Sequence, residues 1–515
     1  MTRAAPSDLG LNLLLCDADQ RTPTLSEDLQ ADAATETKRP TRGPQPDHLR
    51  DRSGDQNSLE AQGWSVIIPE GDAGKRLLDL AAPLIQRRTE QQGAPVKVYV
   101  APAKADQADA MSWRKRNYAD GSTTEDEQPF YQLILGNLDQ VALSIQQVQS
   151  ASELVGRLAF DREDDYRAYI DKLLRAEDAS PPQQAGRSLF YTVHDGTRAT
   201  RAGYDSLITP GVSLARRKVM ERKLPARAII DSGDQTIPTR DELLQQITQE
   251  DPTVLFTLSH GAGTPRIGWK PKERQRREQG AMSFGTDGLL LGSDIRETAF
   301  LPGGIWFMLA CYGAGTPSQS AYRHWLEALA KAGQYAGAAS KVLDGLPKDG
   351  DPPFVAALPQ AALANPSGPL AFFGHIDLAW TYSFLDLDTG SAVQRPGKFV
   401  QIVAELLKGS RCGLALQAIS RAFDEVNTEL TALYDREASG DVSPEAQRAR
   451  LGHLWMLRQD LAGYVLLGDP AARLSVAPRR AYQASPSGST SGSASNSASS
   501  DGANLASVLG FVPKS

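Results

Sequence analysis

From about residue 64 to residue 475, short apolar runs bounded by polar or glycine-rich turns alternate with longer amphipathic stretches. The short runs fall at 64–68, 96–101, 131–135, 189–193, 226–230, 254–259, 305–310 and 370–374. Runs of this length, closed off by turn residues, predict strands buried on both faces. Apolar residues recur at helical spacing over 74–91, 164–175, 240–249, 320–332, 397–407, 413–434 and 444–461, which predicts helices. Strands alternating with helices predict an α/β fold built on a mainly parallel sheet flanked by helices. Ligands of such sheets lie outside the carboxyl ends of the strands, so functional residues are expected just after the strand runs.

The two ends of the chain break this pattern. Residues 1–60 are rich in Asp, Glu, Arg, Pro, Thr and Gln around one apolar island at 11–15, which predicts a disordered segment. Residues 484–515 are dominated by Ser, Gly and Ala and predict a flexible tail, closing on Leu505, Val508, Leu509, Phe511 and Val512. The full 515 residues, 41% hydrophobic and 23% charged, have ordinary globular usage. At roughly 150 residues per domain that length suits about three domain-sized units. With 55 Lys and Arg against 62 Asp and Glu, the net charge of -7 argues against nucleic acid as the main partner. No apolar run approaches the roughly 20 residues of a membrane span, and no secretory h-region is visible. The three cysteines, Cys16, Cys311 and Cys412, are too scattered for a disulfide framework or a metal knuckle. They fit a reducing, cytoplasmic compartment.

Two strand ends carry chemistry. The run 254–259 breaks at His260-Gly261-Ala262-Gly263, and the run 305–310 breaks at Cys311-Tyr312-Gly313-Ala314-Gly315, with Cys311 51 positions after His260. A cysteine nucleophile needs a nearby imidazole to take its proton and backbone N–H groups to hold the acyl oxyanion. Glycine permits the backbone approach this requires. A structural cysteine and an unrelated histidine is the alternative, but both residues end strand runs and both precede a Gly-x-Gly, which favours a dyad. Other candidates are weaker. Residues 70–76 look like a phosphate loop but have Pro69 and Arg76 at the positions of its first Gly and its Ser/Thr, so a strand-to-helix turn is expected. Cys412 is expected to pack at a helix start. His48 and His453 lack partners at metal-ligand spacing, His324 belongs on a helix face, and His375 either lines the cleft or makes a structural hydrogen bond.

At His260-Gly261 and Cys311 the chain resembles the caspase-like cysteine peptidases of clan CD, in which the histidine lies about 50 residues before the nucleophile. The similarity is to bacterial proteins of the gingipain and CHAT type, with supporting stretches at 131–140, 155–161, 373–380 and 466–470. The caspase Gln-Ala-Cys signature is not matched, since Leu309-Ala310 precedes Cys311. The resemblance implies a smaller gingipain-like α/β subdomain over 64–180 and a caspase-like catalytic domain with a helical C-terminal part over 186–475. It implies a cysteine endopeptidase acting through an acyl-enzyme, with His260 and Cys311 as the dyad and the backbone N–H groups of Gly261 and Cys311 as oxyanion donors. No metal or organic cofactor is called for. Its partners would be a protein or peptide substrate and a regulatory protein, in a setting of bacterial defence or cell death; a catalytically silent adaptor binding protein partners is the alternative. Asp195 and Asp377 follow strand runs and are candidates for a substrate-binding pocket that pairs with a basic residue before the scissile bond. Either could equally cap a following turn. The basic stretch 270–277 is expected to be an exposed mobile loop and a candidate processing site.

Overall fold

The computed structural model describes residues 49–477 apart from 181–183, 266–267, 334–335, 387–392 and 440–443. One sheet holds ten strands: β1 (Trp64–Pro69), β2 (Lys97–Ala101), β3 (Tyr131–Leu135), β4 (Leu154–Leu158), β5 (Arg187–Thr192), β6 (Ala228–Ser232), β7 (Thr253–Leu258), β8 (Ile305–Leu309), β9 (Ala371–His375) and β10 (Tyr464–Leu467). Their order is β2-β1-β3-β4-β10-β9-β8-β7-β5-β6. Neighbours are parallel throughout except β9 with β10. The mainly parallel sheet flanked by helices is therefore as the sequence predicts, and each predicted strand run lies in it to within two residues at either end.

Two strands escape the sequence pattern. In β4 the apolar run is interrupted by Arg157, whose fully buried guanidinium donates to Gln146 Oε1 at 2.8 Å and to the Gly136 carbonyl at 2.9 Å. Residues supplied by other segments satisfy that charge, which local patterning cannot reveal. β10 is four residues long and follows a helix with one residue between. The predicted helix over 74–91 is two helices, α1 (Gly71–Leu80) and α2 (Ala82–Gln92). Pro83 sits in the first turn of α2, where its missing N–H is tolerated but where it cannot carry a preceding helix onward. Residues 270–277 are likewise not a loop: Lys272–Glu278 is a short helix, with Arg274 and Arg277 both paired to Glu278 at 2.8 and 2.9 Å.

Side chains alternate across the sheet with the period of two that strands impose. Ile67 and Ile134 pack on one face with Trp113 and Ile145, while Val66, Ile68, Leu133 and Leu135 join the larger core on the other. Beneath the strand ends of the other half, Phe190, Phe256, Phe307 and Phe373 stand in register on β5, β7, β8 and β9. Phe256 stacks on Phe307 at 4.7 Å, and Phe399 of α3 (Gly397–Leu407) meets both edge-on. Two longer helices follow, α4 (Cys412–Ser439) and α5 (Pro444–Ala462), and the latter leads into β10.

The disorder predicted for residues 1–60 does not include residues 49–60. Residues 49–60 are placed against the core: the Gln56 carbonyl accepts from the Tyr131 hydroxyl at 2.7 Å, and Asn57 accepts twice from Arg411, at 2.8 and 2.7 Å. The predictions for residues 1–48, which include Cys16 and His48, and for the tail 484–515 lie outside the described residues. Among the described residues no helix is long and apolar enough to cross a membrane.

Phe307 is fully buried at the centre of the aromatic row. Phe307→Ala is expected to cost about 3–5 kcal/mol through lost transfer energy and the cavity left behind. A denaturant midpoint unchanged from wild type would contradict this.

Candidate active site

Because Leu258 of β7 pairs with Leu309 of β8, His260 and Cys311 each lie two residues beyond matched positions on adjacent parallel strands. The Ser259 N–H donates to the Leu309 carbonyl at 3.3 Å and extends this pairing to the strand ends. His260 and Gly261 then pair antiparallel with Ser283 and Met282, which fixes the histidine backbone from its other side. Gly261 lies so close to Cys311 that a Cβ there would overlap the Cys311 carbonyl. The Ala262 N–H donates to Ala281 at 2.8 Å, so the alternation of an antiparallel ladder leaves the Gly261 N–H outside it.

Cys311 begins a tight turn in which Tyr312 takes φ +56°, the left-handed region that non-glycine residues rarely occupy. The turn persists because its neighbours over-determine it. Tyr312 N–H donates to the Asp377 carbonyl at 2.9 Å, Gly315 N–H to the Tyr312 carbonyl at 3.0 Å, and Ala314 N–H to the His375 carbonyl at 3.0 Å. The half-buried Cys311 Sγ accepts from the Ala379 N–H at 3.3 Å. Burial outweighs that bond and pushes the thiol up to about 11.

His260 Nε2 stands 2.9 Å from Thr197 Oγ1 and 3.6 Å from Asp195 Oδ2. Asp195 Oδ1 accepts from the Thr197 hydroxyl at 2.8 Å, the Thr200 hydroxyl at 2.7 Å and the Thr197 N–H at 3.1 Å. Against the upward push of burial, the Thr200 and Thr197 donors and His260 hold this carboxyl below the usual range. An ionised carboxylate only accepts, so a Thr197 hydroxyl that donates to Asp195 offers its oxygen lone pair to His260 Nε2, an arrangement that suits the tautomer with hydrogen on Nε2.

A cavity of about 290 Å3 opens beside His260 and Cys311, with Leu258, Trp380 and Phe384 also among its walls. A larger cavity of about 800 Å3 lies among α3, α4 and α5 and contains neither His260 nor Cys311.

Asp195 and Asp377 do not supply a free carboxylate to the cavity. Asp195 faces His260 and its threonines, with 7% side-chain exposure. Asp377 is buried, and its carboxylate accepts from the Ala321 and Leu378 N–H groups, each at 2.8 Å. Burial raises it to about 6 in spite of these donors. Its geometry is that of a cap, not of an acceptor for a substrate guanidinium.

His375 does not line the cleft either. It is fully buried, and its Nε2 lies 3.0 Å from the Asp460 carbonyl, which can only accept. Burial drives this imidazole down to about 4. His453, which has no partner at metal-ligand spacing in the sequence, is buried and stands 3.2 Å from Asp386 Oδ1. His324 is exposed on a helix and Cys412 is buried, as expected.

Several site residues carry no signal that sequence reasoning used. Thr197 and Thr200 stand two and five residues after Asp195, and an Asp-Gly-Thr-x-x-Thr stretch after a strand is the one hint that hydroxyls would converge on that carboxylate. Asp460 has no such hint. Its buried carboxylate accepts from the Trp380 and Ser383 N–H groups at 2.8 and 2.9 Å and holds the loop beside Cys311 from α5.

No family model matches the chain, and no curated protein matches it. Among solved structures there are cysteine proteinases. The chain is similar to the Arg-specific cysteine proteinase gingipain R at 12% identity, over 81% of this chain and 80% of that one, with a TM-score of 0.48. The Porphyromonas gingivalis complex of RgpB pro- and mature domains gives 11% identity, 81% of each chain and a TM-score of 0.44. The Saccharomyces cerevisiae separase–securin complex gives 12% identity over 78% of this chain and 19% of that one, with a TM-score of 0.29.

Only the thiolate is alkylated, and below its pKa the thiolate fraction rises about tenfold per pH unit. With the thiol raised to about 11, the iodoacetamide labelling rate of Cys311 is expected to keep climbing from pH 7 to pH 10. Mass mapping at each pH reads this directly, and a plateau near the ordinary thiol value of about 8.5 would contradict it.

Proposed function

We propose that the chain is a caspase-like cysteine endopeptidase in which Cys311 is the nucleophile and His260 the general base. The observation that carries this reading is the level placement of the two residues past paired strand ends, beside one cavity, and Thr197 at 2.9 Å from Nε2 suits the tautomer that leaves Nδ1 to accept a proton. Attack forms a bond between Sγ and the peptide carbonyl carbon as the thiol proton passes to Nδ1. The tetrahedral oxyanion is received by the N–H groups of Gly261 and Cys311, a role supported by the contact of Gly261 with the Cys311 peptide. Collapse breaks the C–N bond, and the imidazolium returns its proton to the leaving amine. Water, deprotonated by His260, then adds to the thioester carbonyl, and breakage of the C–S bond releases the acid and restores the thiol.

Asp195 is a positioning residue: through Thr197 it orients the ring of His260 and selects its tautomer. No step asks for a metal or an organic cofactor. The segment 270–279 is retained as a processing candidate, although much of it is helical and a helix must unwind before a protease can hold it extended.

Cys311→Ala is expected to abolish peptide hydrolysis and His260→Ala to lower kcat/KM by about 10²–10⁴-fold, both with wild-type melting temperatures. Selective labelling of Cys311 by a peptidyl acyloxymethyl ketone reads the same dyad. Turnover by Cys311→Ala would refute Cys311 as the nucleophile, and failure of the probe to label wild-type protein would favour the silent adaptor.

Asp195→Ala is expected to lower kcat by about 10–100-fold, less than loss of the base itself, with little change in KM. Retention of the loss in Asp195→Glu would contradict a positioning role only if Thr197→Val also left kcat unchanged.

A further inference from the structure

The cavity beside Cys311 is lined mainly by Leu258, Leu309, Val342, Leu378, Trp380 and Phe384, with His260 in the same wall and small residues, some bearing hydroxyls, that leave it open. None of its lining residues is Asp, Glu, Lys or Arg. The carboxylates nearest in sequence, Asp195 and Asp377, are saturated by donors from the protein itself. A substrate arginine or aspartate placed here would lose its hydration and meet no opposite charge, which is unfavourable. An apolar side chain would exchange water for matching walls.

We infer that this cavity receives the side chain preceding the scissile bond and selects a large apolar one: leucine, methionine or phenylalanine. The inference rests on the peptidase reading, because it is the presence of Cys311 in the same wall that makes the occupant a substrate side chain. The cavity volume of about 290 Å3 accommodates such a side chain, and the indole of Trp380 and the ring of Phe384 offer aromatic surface to it. Val342 belongs to the helix Ala336–Gly345 and Ala199 to the helix Arg198–Gly203, so the pocket is closed by elements outside the sheet.

The test uses the full chain and peptides that differ only at the residue before the scissile bond. Leucine, methionine and phenylalanine peptides are expected to exceed arginine, lysine and aspartate peptides by at least about 100-fold in kcat/KM, a discrimination of the size hydrogen-bonding and charge mismatches produce. Ala199 is exposed, so Ala199→Phe is expected to fold; it should fill the cavity and lower turnover of the phenylalanine peptide by about tenfold or more while sparing an alanine peptide. Val342→Glu should raise arginine turnover by supplying the missing carboxylate. Preferred cleavage after Arg, Lys or Asp by wild type, or an unchanged preference in Ala199→Phe, would overturn the assignment and leave the dyad standing. Absence of turnover with every peptide, together with absence of Cys311 labelling, would overturn the peptidase reading and the specificity with it.

Discussion

The parallel pairing of β7 with β8 is the constraint on which the site depends. It matches Leu258 with Leu309 and so brings His260 and Cys311, distant in sequence, to one level at the edge of the sheet. A one-residue slip in a strand exchanges its two faces, and here the faces differ sharply. Phe256 and Phe307 stack with Phe399 on one face, while Trp306 packs against Phe300 and Phe372 on the other and donates to Thr257 Oγ1 at 3.0 Å. Slippage would place these rings opposite the wrong partners. The aromatic register is thus also what sets His260 level with Cys311.

A second layer holds the loop next to Cys311. Asp377 and Asp460 are carboxylates taken out of water at a cost that raises both, to about 6 and about 7, against the pull of their N–H donors. Each accepts from two backbone N–H groups, and together they fix residues 377–383 from two directions. That loop supplies the Ala379 N–H to Cys311 and the Trp380 wall of the cavity. Buried polar groups of this kind hold one arrangement because every alternative leaves a charge or an amide unpaired.

The first four strands are tied to the end of the described chain by another buried cluster. Asp469, just after β10, accepts from Trp64 Nε1 at 2.9 Å and from Arg88 Nη2 at 2.6 Å, while Arg88 also pairs with Glu177 at 2.6 Å. Asp469 N–H in turn donates to the Tyr169 hydroxyl at 2.8 Å. With β10 placed between β4 and β9, these contacts make one sheet from strands separated widely in sequence.

The sequence by itself determined the elements whose signal is local. Apolar runs closed by glycines reveal strands because a strand buried on both faces needs continuous apolar residues. The same pattern singled out His260 and Cys311, since each stands where such a run stops. Asp195 was legible as a charged residue after a strand, but not its orientation, because the same residue can face a ligand, a turn or a neighbouring imidazole. Only the tertiary structure decided that it faces His260, that Asp377 turns inward as a cap, and that Asp460 reaches the site from α5. It also decided that Arg157 can occupy a buried strand and that the cavity walls are apolar. Those outcomes depend on which distant segments supply hydrogen bonds and surface, and residue spacing along the chain does not encode that meeting in any short window.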